Sequence, residues 1–250
     1  MYRGRTKNFR EVFLMDAPKT VHIGLLTSRS GNRPHFDDFR GLVPAEVGLT
    51  IESVGVGPEA TVDARTEAVL RRATEIVRDH PIEGLIITGA PLTVLNPNIE
   101  QKLAEAITTI PVTIPIRAAT AALHATNSKR LILMTPFNDG INSRIQDRLK
   151  QSGLTVLSCP SLEYLGARTG AHVAADKIFG IMEKSVRETP GADAIYFQGA
   201  PFNPLPIIGR IETKPVQIVE CYWEFQSFQS FHRFSTTRFP HQALRLVSSH

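Results

Sequence analysis

Apolar residues in this chain fall into short runs, and most runs end at glycine, proline or small polar residues. Val21 to Thr27 (VHIGLLT) breaks into Ser28-Arg29-Ser30-Gly31-Asn32, which predicts a buried strand leading into a loop. Leu49 to Val56 alternates and stops at Gly57-Pro58, a second strand. Between Val62 and Arg78 the apolar positions Val62, Val69, Ala73, Ile76 and Val77 recur at helical spacing. Ile82 to Thr88 predicts a third strand, running into Gly89-Ala90-Pro91. Ile99, Leu103 and Ile107 then mark a helix. Pro111 to Ile116 reads as a fourth strand and Ala118 to Ala125 as a helix.

The pattern then starts again. Arg130 to Thr135 predicts a strand ending in Pro136-Phe137-Asn138-Asp139-Gly140, and Ile141, Ile145 and Leu149 mark a helix. Leu154 to Ser158 is a strand. Ala171 to Arg187 is a helix with Ala174, Ile178, Ile181 and Met182 inward. Ala194 to Phe197 is a strand running into Gly199-Ala200-Pro201. Pro215 to Val219 is another, with a last helix expected from Glu220. Strands alternating with helices define an α/β protein with mostly parallel sheets.

The repetition is visible in the residues. IITGAPLTVL (Ile86–Leu95) matches YFQGAPFNPL (Tyr196–Leu205), with the glycines 199 − 89 = 110 positions apart. Leu26-Thr27 and Met134-Thr135 repeat at 134 − 26 = 108. Such a period is too long for a solenoid and fits a duplicated α/β lobe. Open parallel sheets bind ligands beyond the carboxyl ends of their strands. The Gly-Ala-Pro and Thr-containing turns all fall at such ends, so facing lobes would bring them to one cleft. Helix N-termini there favour anions, and glycine allows close backbone approach. A small anionic ligand is expected.

Composition narrows the class. The chain has 250 residues, 42% hydrophobic and 21% charged, enough for one large or two small domains with a sizeable core. Cys159 and Cys221 are its two cysteines, too few for a disulfide framework. The net charge of +4 includes a basic N-terminus (Arg3, Arg5, Lys7, Arg10), read as a solvated tail and not a nucleic-acid surface. No apolar run approaches the ~20 residues of a membrane span, and no secretory signal is visible. A cytoplasmic protein without membrane or nucleic-acid partners is expected. No metal-ligand cluster, GxGxxG, Walker loop or GxSxG elbow occurs, so neither a metal nor a nucleotide cofactor is expected.

Candidate chemistry sits on the strand-end loops. Ser28, Arg29 and Ser30 offer a guanidinium fork and hydroxyls to a carboxylate, or form an ordinary polar loop. Thr135 and Asn138 occupy the equivalent loop of the second unit. Asn138 either donates to a carboxylate or caps the helix beginning near Gly140. Glu163 and Tyr164 are candidate proton donors, with a Glu163–Arg168 salt bridge as the alternative for the glutamate. His35 is a candidate acid or base, or a solvated loop residue. Asp37 and Asp38 read as a helix-start acidic pair. His124 reads as structural. Phe225, Phe228, Phe231 and Phe234 recur every third residue, which is not a core stripe.

In order, IGLLTSRSGN, VGPEATVDA, IITGAP, LMTPFNDGINSRI, SCPSLEYLG and GADAIYFQGAP resemble the aspartate/glutamate racemase superfamily, in its arylmalonate decarboxylase and maleate isomerase branch. The resembling stretch runs from about Val21 to Phe225. It implies two pseudo-symmetric flavodoxin-like lobes with mostly parallel four-stranded sheets and an active-site cleft between them. It implies no metal, no organic cofactor, and a homodimer or higher homo-oligomer. Racemases of the superfamily use one cysteine at each lobe's strand-to-helix turn; here those positions fall at about Gly89 and Gly199. A two-cysteine racemase is thereby disfavoured, because glycine has no proton to exchange. Phe137 stands where relatives often carry tyrosine. Cys159 and Cys221 read as core thiols, with Cys221 at the start of the last helix.

The expectation is a cofactor-independent lyase or isomerase acting on a small carboxylate or dicarboxylate. Substrate would be held by Ser28, Arg29, Ser30, Gly89, Ala90, Pro91, Thr135, Phe137, Asn138, Gly199, Ala200 and Pro201. Phe137, Pro91, Pro201 and Phe202 would form an apolar wall. The alternative is a non-catalytic carboxylate-binding protein on the same fold. The expected division is an N-terminal arm at 1–20, lobe one at 21–117 plus about 215–232, lobe two at 118–214, and a tail at 233–250.

Overall fold

The computed structural model describes residues 21–27, 40, 43–56, 60–160, 162, 174–199, 207, 210 and 217–221. The first half runs β1 (Val21–Thr27), β2 (Val47–Ser53), α1 (Val62–Asp79), β3 (Gly84–Ile87), α2 (Ala90–Leu95), α3 (Ile99–Ala106) and β4 (Val112–Thr113). Next comes α4 (Pro115–Ala125). The second half runs β5 (Arg130–Met134), α5 (Asp139–Gln151), β6 (Thr155–Ser158), α6 (Ala175–Glu188), β7 (Ala194–Gln198) and β8 (Gln217–Cys221).

The strands form two four-stranded sheets, ordered β2-β1-β3-β4 and β6-β5-β7-β8. Every pairing is parallel. The order is the same in both, so the duplication read from the residues is a duplication of topology, and each sheet has the doubly wound, flavodoxin-like order.

The central strands are apolar because both faces are covered. Leu25, Leu26, Leu85, Ile86 and Ile87 are fully buried in the first sheet. In the second, side chains alternate between two environments with the period of a strand. Leu131, Leu133, Ala194 and Tyr196 join a core continuous with that of the first sheet. Ile132, Met134, Ile195 and Phe197 face the opposite way, onto Ile178 and Met182 of α6. The two lobes therefore share one core across the face that carries Tyr196. Helix α4 leaves β4 and lies against β7 and β8, and α2 packs on α5. An Arg148–Glu100 ion pair joins α5 to α3 across the same boundary.

A matched detail at the opposite end of the sheets supports the duplication. Glu83, just before β3, accepts the backbone N–H of His22 at 3.2 Å. Asp193, just before β7, accepts the N–H groups of Lys129 and Arg130 at 3.0 and 2.9 Å. Each acid thereby ties the start of its lobe's first strand to the start of its third.

Several boundaries differ from expectation. Pro115 and Ile116 open α4 and do not continue β4, since proline's fixed φ suits the first helical turn, where its missing N–H costs nothing. A lobe boundary at 117/118 would cut this helix. Ala174 is the exposed N-cap of α6 and not an inward residue. Glu220 and Cys221 end β8, paired with Phe197 and Gln198, so no helix starts there. Because β8 pairs with β7, residues 217–221 belong to the second sheet and not to lobe one. Hydrogen bonding along a free sheet edge decided this, and local sequence pattern does not report it.

Candidate active site

Three turns at the carboxyl ends of the central strands form the candidate site. The first follows β3. Thr88 donates its N–H to Leu26 O at 2.9 Å and its hydroxyl to the same carbonyl at 3.3 Å, which ends the strand beside β1. Gly89 then turns the chain at φ 115° and caps α2, with Ala90 and Pro91 in the first helical positions. That φ is strained for any residue with a side chain. Asn96, capping the far end of α2, donates to Thr66 Oγ1 and so moors the segment to α1.

The second turn follows β5 and is locked by side chains. The buried Thr135 hydroxyl donates to Asn142 Oδ1 and accepts the N–H of Phe137 at 3.2 Å. Asn142 Nδ2 donates to Phe137 O at 3.0 Å. Asn138 is the N-cap of α5, accepting from Ile141 N at 3.1 Å. These bonds commit Thr135 and the Asn138 oxygen to shaping the turn that presents Phe137. Phe137 itself is partly buried against the core shared by the lobes.

The third turn follows β7. Gly199 has φ 139°, and a methyl group added there would lie 2.6 Å from Pro136 Cδ and 2.8 Å from its Cγ. The second and third turns are stacked in direct contact, and no side chain fits between them. Just before Gly199, the buried Gln198 accepts the hydroxyl of Tyr196 at Oε1. Sequence reasoning passed over Tyr196 and Asn142. Tyr196 sits in an apolar strand run, and Asn142 is one polar residue within an amphipathic helix, so neither stands out before folding.

Cys159 follows β6, half-buried against the shared core. Burial, and secondarily the negative charge of Asp139, push its thiol up to about 11. At neutral pH it is a thiol and not a reactive thiolate. His124 is exposed in the last turn of α4.

Ser28, Arg29, Ser30, Glu163, Tyr164, Ala200 and Pro201 lie outside the described residues, as do His35, Asp37, Asp38, Arg168, Phe202 and the spaced phenylalanines. Helix α2, whose first residues are Ala90 and Pro91, packs on α5, which Asn138 caps. Gly199 lies against Pro136 and Phe137. Among the described residues, no group of three or more His, Cys, Asp or Glu could hold a metal ion. Among the same residues, no helix is long and apolar enough to cross a membrane.

A family model, matched on a fold of two flavodoxin-like sheets of equal strand order, puts the chain in the arylmalonate decarboxylase branch of the aspartate/glutamate racemase superfamily. The arylmalonate decarboxylase family model matches residues 84–220, more than half of the chain, and the chain belongs to that family. No curated protein sequence matches it significantly. Among solved structures, unliganded arylmalonate decarboxylase superposes with a TM-score of 0.69 at 21% identity, covering 88% of this chain and 94% of that one. The maleate isomerase of Pseudomonas putida S16, in a structure with maleate, gives 0.65 at 15%, covering 86% and 92%. The Nocardia farcinica maleate cis-trans isomerase, in a structure with a covalently bound succinylcysteine intermediate, gives 0.67 at 16%, covering 86% and 93%. Family membership places the chain among enzymes of this superfamily. A non-catalytic binding protein gains no support from it.

Proposed function

We propose that this protein is a cofactor-independent decarboxylase of small malonate-type dicarboxylates, working in the cytoplasm as a homo-oligomer. The observation that carries the reading is the arylmalonate decarboxylase family match over residues 84–220. Gly199, at φ 139° and with Pro136 against it, stands where the resemblance sets the cysteine that decarboxylases use to protonate the carbanion, so another group must supply that proton. Chemistry at this cleft then rests on binding and electrostatics. Backbone N–H groups at the glycine turns hold one carboxylate, and the second lies against the apolar wall of Pro91, Phe137, Pro201 and Phe202. Loss of favourable solvation there promotes departure of carbon dioxide.

In the reaction the bond from the α-carbon to the second carboxyl carbon breaks. Its electron pair stays on the α-carbon and delocalises into the retained carboxylate as an enediolate, whose added negative charge the turn N–H groups stabilise. A proton from a general acid then forms the new C–H bond. Glu163 and Tyr164 are the acids proposed for that step, with Ser28, Arg29 and Ser30 on the retained carboxylate. Proton NMR in D2O with phenylmalonate, methylmalonate and maleate, run with and without EDTA, tests the reading. Conversion of a malonate to the α-deuterated monoacid, unchanged by EDTA, is expected. Conversion of maleate to fumarate alone would replace decarboxylation with isomerisation.

A further inference from the structure

Gln198 is the last residue of β7 and lies beside the Gly199 turn. It is 2% exposed. Its Oε1 accepts the Tyr196 hydroxyl, so the tyrosine fixes which end of the carboxamide faces its own ring. Among the described residues, the Nε2 amide has no hydrogen-bond partner. A buried primary amide with two idle donors is costly, and each such group in a folded protein calls for a partner. Alternation along β7 puts Gln198 on the same face as Tyr196, the face whose core is continuous with the first lobe. It also stands at a carboxyl strand end, where sheets of this order bind ligands.

The equivalent residue of the first lobe is Thr88, 198 − 88 = 110 positions earlier. Its hydroxyl is spent on Leu26 O. The two lobes are thus unequal at this position: one side chain closes its own sheet, and the other holds donors in reserve.

We infer that Gln198 is a substrate-binding residue whose Nε2 donates to a carboxylate oxygen of the ligand, and that Tyr196 is the positioning residue that orients it. A group offering only donors selects an acceptor, and a carboxylate is the strongest one a small acidic substrate presents. The inference rests on the proposed reading that this cleft takes a small dicarboxylate.

The test uses the full-length protein and phenylmalonate as the probe. In a 15N-correlated spectrum, the Gln198 side-chain NH2 pair is the one missing from Gln198→Met. That pair is expected to shift on titration. Gln198→Met, close in shape but without donors, is expected to weaken phenylmalonate binding by about tenfold to a hundredfold. Gln198→Glu should weaken it further, through repulsion between two carboxylates. Tyr196→Phe leaves the amide present but unoriented, and a loss of about threefold to tenfold is expected, smaller than for Gln198→Met. Glu83→Gln, at the opposite end of the sheets, serves as the control and should leave the affinity within twofold. Wild-type binding that Gln198→Met leaves within twofold, with the NH2 pair unmoved, overturns the inference while the proposed function stands. Failure of the wild type to bind or convert any malonate overturns both.

Discussion

The turn after β3 and the turn after β7 hold the same place in two sheets of the same strand order, yet they are secured in different ways. At the first, Thr88 bonds back to Leu26 and Gly89 caps a short helix. At the second, Gly199 is wedged against Pro136, and the neighbouring β5 turn is cross-braced by Thr135 and Asn142. A duplicated backbone has kept its topology while the groups that rigidify it diverged. The second lobe's turns are thus over-determined, as expected where a site must be pre-organised.

Substitutions can break this contrast. The largest effect is expected from Gly199→Cys. Strain at a positive φ adds to collision with Pro136, for a loss of about 2–5 kcal/mol. In a chain of this size that lowers the melting temperature by about 5–15 °C. A variant as stable as wild type by differential scanning calorimetry would show that the turn yields easily.

Asn142→Ala comes next. It removes the acceptor of the Thr135 hydroxyl and the donor to Phe137 O in a buried setting, for about 2–3 kcal/mol in chemical denaturation. Thr88→Val, in the first lobe, should cost about 1 kcal/mol or less, because the Thr88 N–H still occupies Leu26 O. Equal losses for the two would erase the difference in bracing.

The smallest effect concerns the other end of the sheets. Arg130, through its side-chain hydrogen bond, and then the Lys129 and Arg130 backbone N–H groups, hold the Asp193 carboxyl down to about 2. Its folded pKa lies below the ordinary value near 3.9. The stabilisation from this pair is therefore complete above about pH 4 and lost as the pH falls through about 2. Asp193→Asn should be modestly less stable than wild type at pH 7, with the gap closing near pH 2, since the Arg130 partner is largely exposed. Glu83→Gln, at the equivalent place in the first lobe, should show a smaller change at pH 7. A gap for Asp193→Asn that persists below pH 2 would mean that packing, and not charge, holds this corner.

Much of this was legible in the chain. The apolar runs gave the succession of elements along the chain because a central parallel strand is covered on both faces, and Leu25, Leu85 and Ile132 are buried there. The two Gly-Ala-Pro turns and their spacing of 110 revealed the duplication, and β1, α1 and α3 start where the pattern put them. The cysteine-free turns followed from the same repeat. The failures are equally physical. Pro115 looked like the end of a strand because proline breaks both kinds of element, and only its place in the first turn of α4 shows which one it belongs to.

What the amino-acid sequence by itself determined is the alternation of strands and helices, the duplication, and the glycines at the two turns. Those properties are local: they depend on which residues neighbour each other along the chain. Tertiary structure alone decided that β8 completes the second sheet, that Asn142 braces Thr135, and that Gly199 is locked against Pro136. It also left Gln198 buried with idle donors among the described residues. Each of these depends on a pairing of strands, or on the contact of one turn with another, and such partners are chosen only when the sheet assembles.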